Sequence, residues 1–416
     1  MLPVMGGRRR SAAATVWLWA AAAAACGGCT QILGADWDKY QDGAAAGGAG
    51  ATGAGGCSNG EPQCPDDTPQ PCDEQGEGGD ACAGQTCVDG ECAAACAPEE
   101  RRCLDGHPQT CDERGQWQPE DDCPSSMPVC NGGTCAGLSC DGLDTTCGPD
   151  GDESCCAGAP VPAGSFDREN DSAYPATVSA FVLDRFEVTV GRFRKFVEAY
   201  PGSRPAAGAG QHPKLEESGW PAGWNDILPD NAEELKESLK CAPDRQTWTD
   251  EAGSNELLPI NCVSWYEAFA FCAWDGGRLP TETEWNYAAA GGDEQRIYPW
   301  SSEEPDASHA VYGCTGHGDR MCTFDDIQPV GSRSTKGDGR WKHADLSGSM
   351  WEWVLDRYAD HTNPCRDCAN MDETTAPVVR GGGWGAEATD LRSYTRYEAD
   401  PLVHEQGIGF RCARTP

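Results

Sequence analysis

Positively charged side chains are scarce in this sequence. The 416 residues contain 31 Lys and Arg against 67 Asp and Glu, so the formal net charge is −36. A nucleic-acid backbone and an anionic membrane surface both attract proteins through a basic surface. The composition therefore excludes nucleic acid as a partner, and it excludes a protein that binds membranes through a polybasic patch.

Apolar runs long enough to cross a membrane, and sustained heptad repeats, are also missing. The small and apolar stretch from Ser11 to Ala25 is shorter than the run of about 20 apolar residues that a membrane-spanning helix needs. It follows three arginines, Arg8-Arg9-Arg10, which is the arrangement of an export signal. We therefore predict a signal peptide at residues 1–25 and an exported protein.

Small residues lead directly into Cys26, as in the recognition sequence of bacterial lipoproteins. We predict that Cys26 carries a lipid, although Ala23 stands where such sequences usually have Leu. Cys29 is the alternative anchor, and an ordinary cleaved signal is the other alternative. Residues 43–56 contain only Gly, Ala and Thr, so residues 26–56 are interpreted as a lipid anchor with a Gly/Ala-rich tether. The expected location is the membrane, on the periplasmic side or at the cell surface, with membrane contact only through the lipid.

Cysteine, in contrast, is abundant, and 16 of the 26 cysteines lie in residues 57–156. Cysteines recur there with a period of 39 residues, from Cys64 to Cys103, and large apolar residues are few. Such a segment cannot build a core and is typical of small modules held by disulfides in an oxidising compartment. Paired CxxC zinc knuckles are missing, which disfavours zinc. We predict a stalk or protein-contact array whose disulfide connectivity stays open.

Residues 157–416 have the composition of a globular domain. Thr189 is predicted to begin one helix, in which Phe193, Phe196 and Val197 recur at helical spacing. Ser264-x-x-Glu267 and Thr281-x-x-Glu284 are capping boxes that predict two further helices, each followed by Gly-Gly.

Six ordered motifs in this domain resemble the formylglycine-generating enzyme (sulfatase-modifying factor) family. They are Glu187-Val188-Thr189, Pro259 to Trp265, Arg278 to Trp285, Asp345 to Trp353, Arg380 to Trp384 and Gly409 to Cys412. The resemblance covers roughly residues 160–414. It implies a compact, loop-rich α+β fold related to C-type lectins.

The resemblance also implies an oxidase in which two cysteine thiolates hold copper and convert a substrate cysteine to formylglycine. In this sequence Ala386 and Leu391 occupy the two cysteine positions, and no cysteine occurs between Cys368 and Cys412. We therefore predict that the catalytic site is absent and that copper is not bound there. Cys365-x-x-Cys368 is a possible substitute for copper or redox chemistry. Iron held by His309, His317 and Asp319 is another, and the sequence disfavours both.

A structural calcium ion is the one metal that the resemblance carries over. It would take carboxylate oxygens from Asp345 and Glu352 and backbone carbonyls from Gly348 and Met350, which suits a hard cation. The alternative is that Asp345 caps a turn and Glu352 pairs with an arginine.

The resemblance further implies a disulfide between Cys272 and Cys412. Proximity along the chain suggests three more pairs, Cys241–Cys262, Cys314–Cys322 and Cys365–Cys368. These pairs leave the domain without a free thiol near its predicted site.

Two classes of function remain open. The first is a lipoprotein that binds a peptide, a protein or another ligand in a groove at Trp384, Arg392 and Arg396. The alternative is a metal-dependent oxidoreductase of the formylglycine-generating type that acts on exported proteins. The missing cysteine pair favours the first.

Overall fold

The structure is a computed structural model that describes the backbone of residues 86–88 and 91–93 and all atoms of residues 96–124, 127–143, 146–314 and 322–416. All of these residues belong to one compact unit. The predicted signal peptide, the candidate anchors Cys26 and Cys29, and the Gly/Ala-rich tether lie outside the described residues. Within the described ranges, no helix is long and apolar enough to cross a membrane.

The described part of the cysteine-rich segment consists of short antiparallel strands joined by disulfides. Its strands are β1 (Thr86–Val88), β2 (Glu91–Ala93), β3 (Arg101–Leu104), β4 (His107–Cys111), β5 (Trp117–Pro119), β6 (Val129–Asn131), β7 (Thr134–Ala136), β8 (Thr146–Cys147) and β9 (Glu153–Ser154). They pair as β1-β2, β3-β4-β5, β6-β7 and β8-β9. Of the connectivity that the sequence left open, the described residues form Cys96–Cys111, Cys103–Cys130, Cys123–Cys135, Cys140–Cys156 and Cys147–Cys155.

Contacts cross the predicted domain boundary at residue 156. The Ser139 backbone N–H donates to Asp275 Oδ1 at 2.7 Å, and Arg192 Nε donates to Ser139 Oγ at 3.0 Å. A side chain at Gly137 would place its Cβ only 2.3 Å from Asp275, so glycine permits this approach. The end of the cysteine-rich segment is thus packed on the domain that follows it.

Four α-helices lie in the C-terminal domain: α1 (Val190–Glu198), α2 (Ala232–Ser238), α3 (Trp265–Trp274) and α4 (Glu282–Ala289). Thr189 caps α1 by accepting from the Arg192 N–H, as the sequence predicts. Both predicted capping boxes are formed, at the start of α3 and of α4. Each box satisfies two backbone N–H groups that the helix itself leaves unpaired.

The strands of this domain are β10 (Gly158–Val161), β11 (Gly164–Asp167), β12 (Pro175–Val178), β13 (Phe181–Asp184), β14 (Trp351–Arg357), β15 (Cys365–Arg366), β16 (Pro377–Arg380), β17 (Arg396–Glu398), β18 (Ile408–Gly409) and β19 (Ala413–Arg414). They form three small sheets with strand orders β10-β13-β19, β11-β12-β15 and β17-β16-β14-β18. In the last, β14 pairs antiparallel with β16 and parallel with β18. The fold is the loop-rich α+β arrangement that was predicted.

The core is built around aromatic side chains from α1, α3 and β14. Phe193, Phe271 and Phe410 pack against one another with ring centroids 5.4–6.3 Å apart. A disulfide joins Cys272 in α3 to Cys412, the pair that the family resemblance implied. The three pairs suggested by proximity are present as well. The chain end is therefore fixed both by a cross-link and by the pairing of β19.

Candidate functional site

A pocket of about 430 Å³ opens beside the start of β14 and the loop that follows β16. Its lining residues are Arg245, Cys322, Trp351, Gly383, Trp384, Gly385, Ala386, Asp390 and Glu405 to Ile408. Residues 383–386 form one wall, residues 405–408 form another, and Arg245 and Cys322 come from separate loops. With Trp351 at the start of β14, the pocket is therefore formed by five separate parts of the chain that pack together.

Trp384 is held firmly in the wall of this pocket. Its backbone N–H donates to the Ser349 carbonyl at 2.6 Å, and its indole Nε1 donates to the Gln406 carbonyl at 3.2 Å. Its ring packs with Met350 and is 5% exposed. A Cβ at Gly383 would lie 3.1 Å from Trp351 Cδ1, so glycine lets this loop lie close to the second tryptophan.

Arg245 is a cationic residue in the pocket wall, and the sequence did not point to it. Its Nη2 donates to the Cys322 carbonyl at 3.2 Å. Asp390 and Glu405 bring negative charge to the same lining, so the pocket is polar at its rim and aromatic at its wall. The sequence around Arg245 does not predict this placement, because the contact depends on the loop that contains Cys322.

Arg392 and Arg396, the two arginines of the predicted groove, do not line this pocket. Arg396 Nε lies 2.7 Å from Glu282 Oε1 at the start of α4, and its Nη1 donates to the Ala359 carbonyl. The Arg392 side chain forms a hydrogen bond with the Tyr298 hydroxyl. Both guanidinium groups are thus bound to other elements, and only Trp384 of the predicted trio belongs to the pocket.

The two positions of the absent catalytic cysteines have different surroundings. Ala386 lines the pocket, whereas Leu391 is fully buried in a cluster with Tyr298 and Ala310. A methyl group and a buried isobutyl group cannot ligate a soft metal ion. Sulfur nevertheless reaches the pocket from elsewhere, because a Cβ at Gly385 would lie 3.6 Å from Cys322 Sγ.

The residues suggested as substitutes for copper or iron are described only in part. Cys365 and Cys368 form a disulfide, and Cys365 is buried. His309 Nδ1 lies 3.0 Å from Asp306 Oδ1, and its ring stacks on Trp300. His317 and Asp319 lie outside the described residues.

The predicted calcium ligands have other partners. Glu352 receives hydrogen bonds from Arg411 on both carboxylate oxygens and a further one from Trp285 Nε1 at 2.9 Å. Asp345 Oδ2 accepts from the Gly331 N–H at 2.5 Å. Gly348 and Met350 lie in the turn between Asp345 and Glu352. The Met350 backbone N–H donates to Glu187 Oε1 at 2.9 Å.

Glu187, which the sequence did not single out as a site residue, is therefore the third carboxylate of this buried cluster. Burial raises the pKa of Glu187 well above its usual range, and the negative charges of Asp345 and Glu352 raise it further. Burial likewise raises the pKa of Asp345 to about 6. Among the residues described, no group of three or more His, Cys, Asp or Glu side chains is arranged to hold a metal ion.

Calcium at these four predicted ligands would have to compete with the ion pair between Glu352 and Arg411. This corresponds to the alternative in which Glu352 pairs with an arginine. Calcium binding at this motif stays a prediction, and chelation tests it directly.

Known proteins resemble this chain over its C-terminal part. The family described as "Sulfatase-modifying factor enzyme 1-like domain" matches residues 146–416. The inactive C-alpha-formylglycine-generating enzyme 2 of Bos taurus is 30% identical over 281 residues, covering 61% of this chain and 86% of that protein. The formylglycine-generating enzyme of Thermomonospora curvata is 26% identical over 292 residues, covering 62% of this chain and 92% of that protein.

Among solved structures, PvdO from Pseudomonas aeruginosa matches with a TM-score of 0.44 and 23% identity, covering 62% of this chain and 93% of that one. The family match begins at residue 146, eleven residues before the predicted domain start, and continues to the last residue. With the six motifs in order and a family match over more than half of its length, this chain belongs to the sulfatase-modifying factor enzyme 1-like family.

Proposed function

We propose that this protein is a non-catalytic member of its family that binds a peptide or protein ligand in the pocket at Trp384. The observation that carries the proposal is the placement of Ala386 on the pocket wall and of Leu391 in the core. The pocket is open, but these two positions supply no pair of thiolates that face each other. The inactive relative, 30% identical, supports the same interpretation.

The chemistry of the lining suits an extended peptide. Trp351 and Trp384 supply apolar area, and Gly383 and Gly407 expose backbone close to the cavity. Arg245 offers a cation for a carboxylate on the ligand, and Asp390 and Glu405 offer acceptors. A volume of about 430 Å³ admits one or two amino-acid side chains rather than a large cofactor.

The proposed setting is an exported protein that is anchored by a lipid on Cys26. Support comes from the disulfides of the described residues, since such cross-links persist in oxidising compartments. The net charge of −36 supports a partner that is neither nucleic acid nor an anionic membrane surface.

The test is selection of a random 12-residue peptide library against the purified protein, followed by titration of a selected synthetic peptide. Gly385→Leu fills the pocket, because a Cβ there meets only the two sulfurs of the Cys314–Cys322 disulfide, at 3.6 and 4.0 Å. Gly223→Leu is the matched control, since a Cβ at this exposed glycine meets nothing within 4 Å.

We expect Gly385→Leu to weaken peptide binding at least about tenfold and Gly223→Leu to leave it unchanged, because only the first occupies the ligand volume. Failure to select any peptide, or equal affinity for both variants, would overturn the proposal.

A further inference from the structure

The loop of residues 401–408 contributes its last four residues to one wall of the pocket. Its backbone also bonds both tryptophans of the lining. The Gln406 carbonyl accepts from Trp384 Nε1 at 3.2 Å, and the Gly407 carbonyl accepts from the Trp351 N–H at 2.9 Å. A displacement of this loop therefore moves the groups to which both tryptophans are bonded, and it changes the shape of the pocket.

His404 lies in the middle of this loop and connects it to a buried acid. Its Nε2 lies 2.9 Å from Oε2 of Glu267, near the start of α3, and its ring also donates to the Leu402 carbonyl. The Glu267 side chain is 2% exposed, whereas that of His404 is 28% exposed. Protons from solvent therefore reach the histidine, while the acid that it contacts is shielded from water.

Glu267 is fixed in position and ionised. It closes the capping box of α3, where its carboxylate accepts from the Ser264 N–H at 2.8 Å, and it also accepts from Ser238 Oγ at 2.9 Å. Burial disfavours its charged form, but the hydrogen bond and the charge of His404, together with these two donors, hold the pKa of Glu267 below its usual range. A change at His404 therefore acts on the loop rather than on α3.

The other ionisable groups around this contact keep one charge state near neutral pH. They are Tyr200 and Arg204 in the segment after α1, and Asp400 and Glu405 in and beside the loop. Burial raises the pKa of Tyr200 above an ordinary 10.0. Arginine and exposed carboxylates stay charged at this pH. His404 is therefore the group of this contact that changes its charge near neutral pH.

The contacts of His404 are complete when its ring carries two protons. An imidazolium has two N–H groups and a positive charge for the Leu402 carbonyl and the Glu267 carboxylate, whereas a neutral imidazole has one N–H group. Burial opposes the charged form, but the hydrogen bond to Glu267, its negative charge and the Leu402 carbonyl raise the pKa of His404 above an ordinary 6.5. The contacts are therefore fully present below the ordinary pKa and are weakened as the pH rises through the raised one.

We propose that protonation of His404 is a pH switch that fixes the loop 401–408 and tightens ligand binding in the pocket at Trp384, which rests on the proposed peptide binding and names its regulation. In the protonated state the imidazolium ties the loop to Glu267 and holds the pocket wall in the observed shape. Loss of the proton removes the charge pair and one hydrogen bond, so the wall loosens and the ligand dissociates more readily. Because such coupling is reciprocal, a bound ligand makes His404 hold its proton more strongly.

The first test is the affinity of the full chain for the selected synthetic peptide between about pH 5.5 and about pH 9. The peptide is chosen without histidine or cysteine and is acetylated at its N-terminus, so that its own charge stays constant in this range. We expect the affinity of the wild-type protein to fall at least about fivefold with rising pH. His404→Gln keeps a donor for Glu267 but does not titrate, so its affinity should stay constant.

His107→Gln is the matched control, because His107 is an exposed histidine of the cysteine-rich segment that also pairs with a carboxylate, that of Asp122. This variant should keep the pH dependence of the wild-type protein. A pH dependence that survives in His404→Gln, or a wild-type affinity that is the same at every pH, would overturn the proposal.

A second measurement needs no ligand. Trp384 Nε1 donates to the Gln406 carbonyl in the loop, so the NMR resonance of the Trp384 indole N–H, assigned with Trp384→Phe, follows the position of the wall. We expect this resonance to shift with the same midpoint as the ring signals of His404 in the wild-type protein and to stay constant in His404→Gln. A resonance that does not change with pH, or that moves equally in both proteins, would overturn the proposal.

The two proposals fail separately. A selected peptide that binds equally well at every pH would refute the switch and leave the peptide-binding function standing. Failure to select any peptide, together with a Trp384 resonance that follows the titration of His404, would refute the peptide-binding function and leave the pH-dependent wall.

Discussion

Arg411 and Glu352 form an ion pair in which both side chains are fully buried, with Arg411 Nη2 2.7 Å from Glu352 Oε1. Arg411 also donates to the carbonyls of Asp184, Arg185 and Ala344, so it joins the C-terminal segment to two loops and to β14. Glu352, which the sequence predicts as a metal ligand, thereby pairs with Arg411, 59 residues further along the chain.

Removing Arg411 should destabilise the domain strongly. Arg411→Met leaves Glu352 buried without its counter-charge, and breaking such a pair costs about 3–5 kcal/mol. Arg340→Met is the control, because Arg340 and Asp293 form an exposed pair worth less than about 1 kcal/mol. Urea unfolding of the three proteins gives the comparison, and similar losses in both variants would contradict the structural role of Arg411.

Chelation distinguishes calcium binding at Asp345 and Glu352 from a purely structural role of the Glu352–Arg411 ion pair. A cation bound only to the native state would add stability that EDTA removes, but Glu352 has both oxygens occupied by Arg411 and Trp285. Thermal unfolding with and without EDTA is the measurement. A fall in melting temperature that Asp345→Asn/Glu352→Gln abolishes would support calcium at this motif, and an unchanged melting temperature would refute it.

Asp356 should make the domain less stable as the pH rises from about 4 to about 7. Burial raises the pKa of Asp356 to about 7 from an ordinary 3.8, and the charge of Glu282 adds to the rise. Between these values the folded state holds a proton that the unfolded chain has lost, so the free energy of unfolding falls with increasing pH.

Asp356→Asn should remove this part of the pH slope, although it also weakens one of the hydrogen bonds that Asp356 accepts from the Glu282 and Asn370 N–H groups. Glu216→Gln, at an exposed position, is the control that keeps the slope. Urea unfolding at a series of pH values checks both variants, and an unchanged slope in Asp356→Asn would count against the assignment.

Cys412→Ser should cost about 4–5 kcal/mol of stability, because the Cys272–Cys412 cross-link closes a loop of about 140 residues. In the wild-type protein neither cysteine should be alkylated without prior reduction. Peptide mapping that finds either one modified under native, non-reducing conditions would disprove the pairing.

The domain should not convert a cysteine-containing sulfatase-type peptide to formylglycine, even with added copper. Ala386 and Leu391 provide no thiolate, and the sulfur at the pocket belongs to a different segment of the chain. The Thermomonospora curvata formylglycine-generating enzyme serves as the positive control. A copper-dependent product with the mass of the aldehyde would contradict this prediction and point to a substitute pair of ligands.

Features that depend on neighbouring residues could be predicted from the sequence. The two capping boxes and the Thr189 cap are local, because a side chain and the backbone N–H that it accepts from lie within three residues of each other. The pair Cys365–Cys368 is local for the same reason. The absence of thiols at Ala386 and Leu391 is also a property of the sequence alone.

The sequence by itself determined the charge, the absence of the two family cysteines and the helix starts, since each follows from composition or from contacts within one turn. Only the tertiary structure decided that Arg245 and Cys322 line the same pocket as Trp384. It also decided that Arg396 pairs with Glu282 and that Arg411 pairs with Glu352. These contacts join residues from 59 to 139 positions apart, and the local sequence around each residue does not indicate which distant residue it will meet. Which side chains make these contacts depends on how the loops pack around the aromatic core. A buried charge is costly unless it is paired, so its partner is whichever opposite charge the fold places next to it.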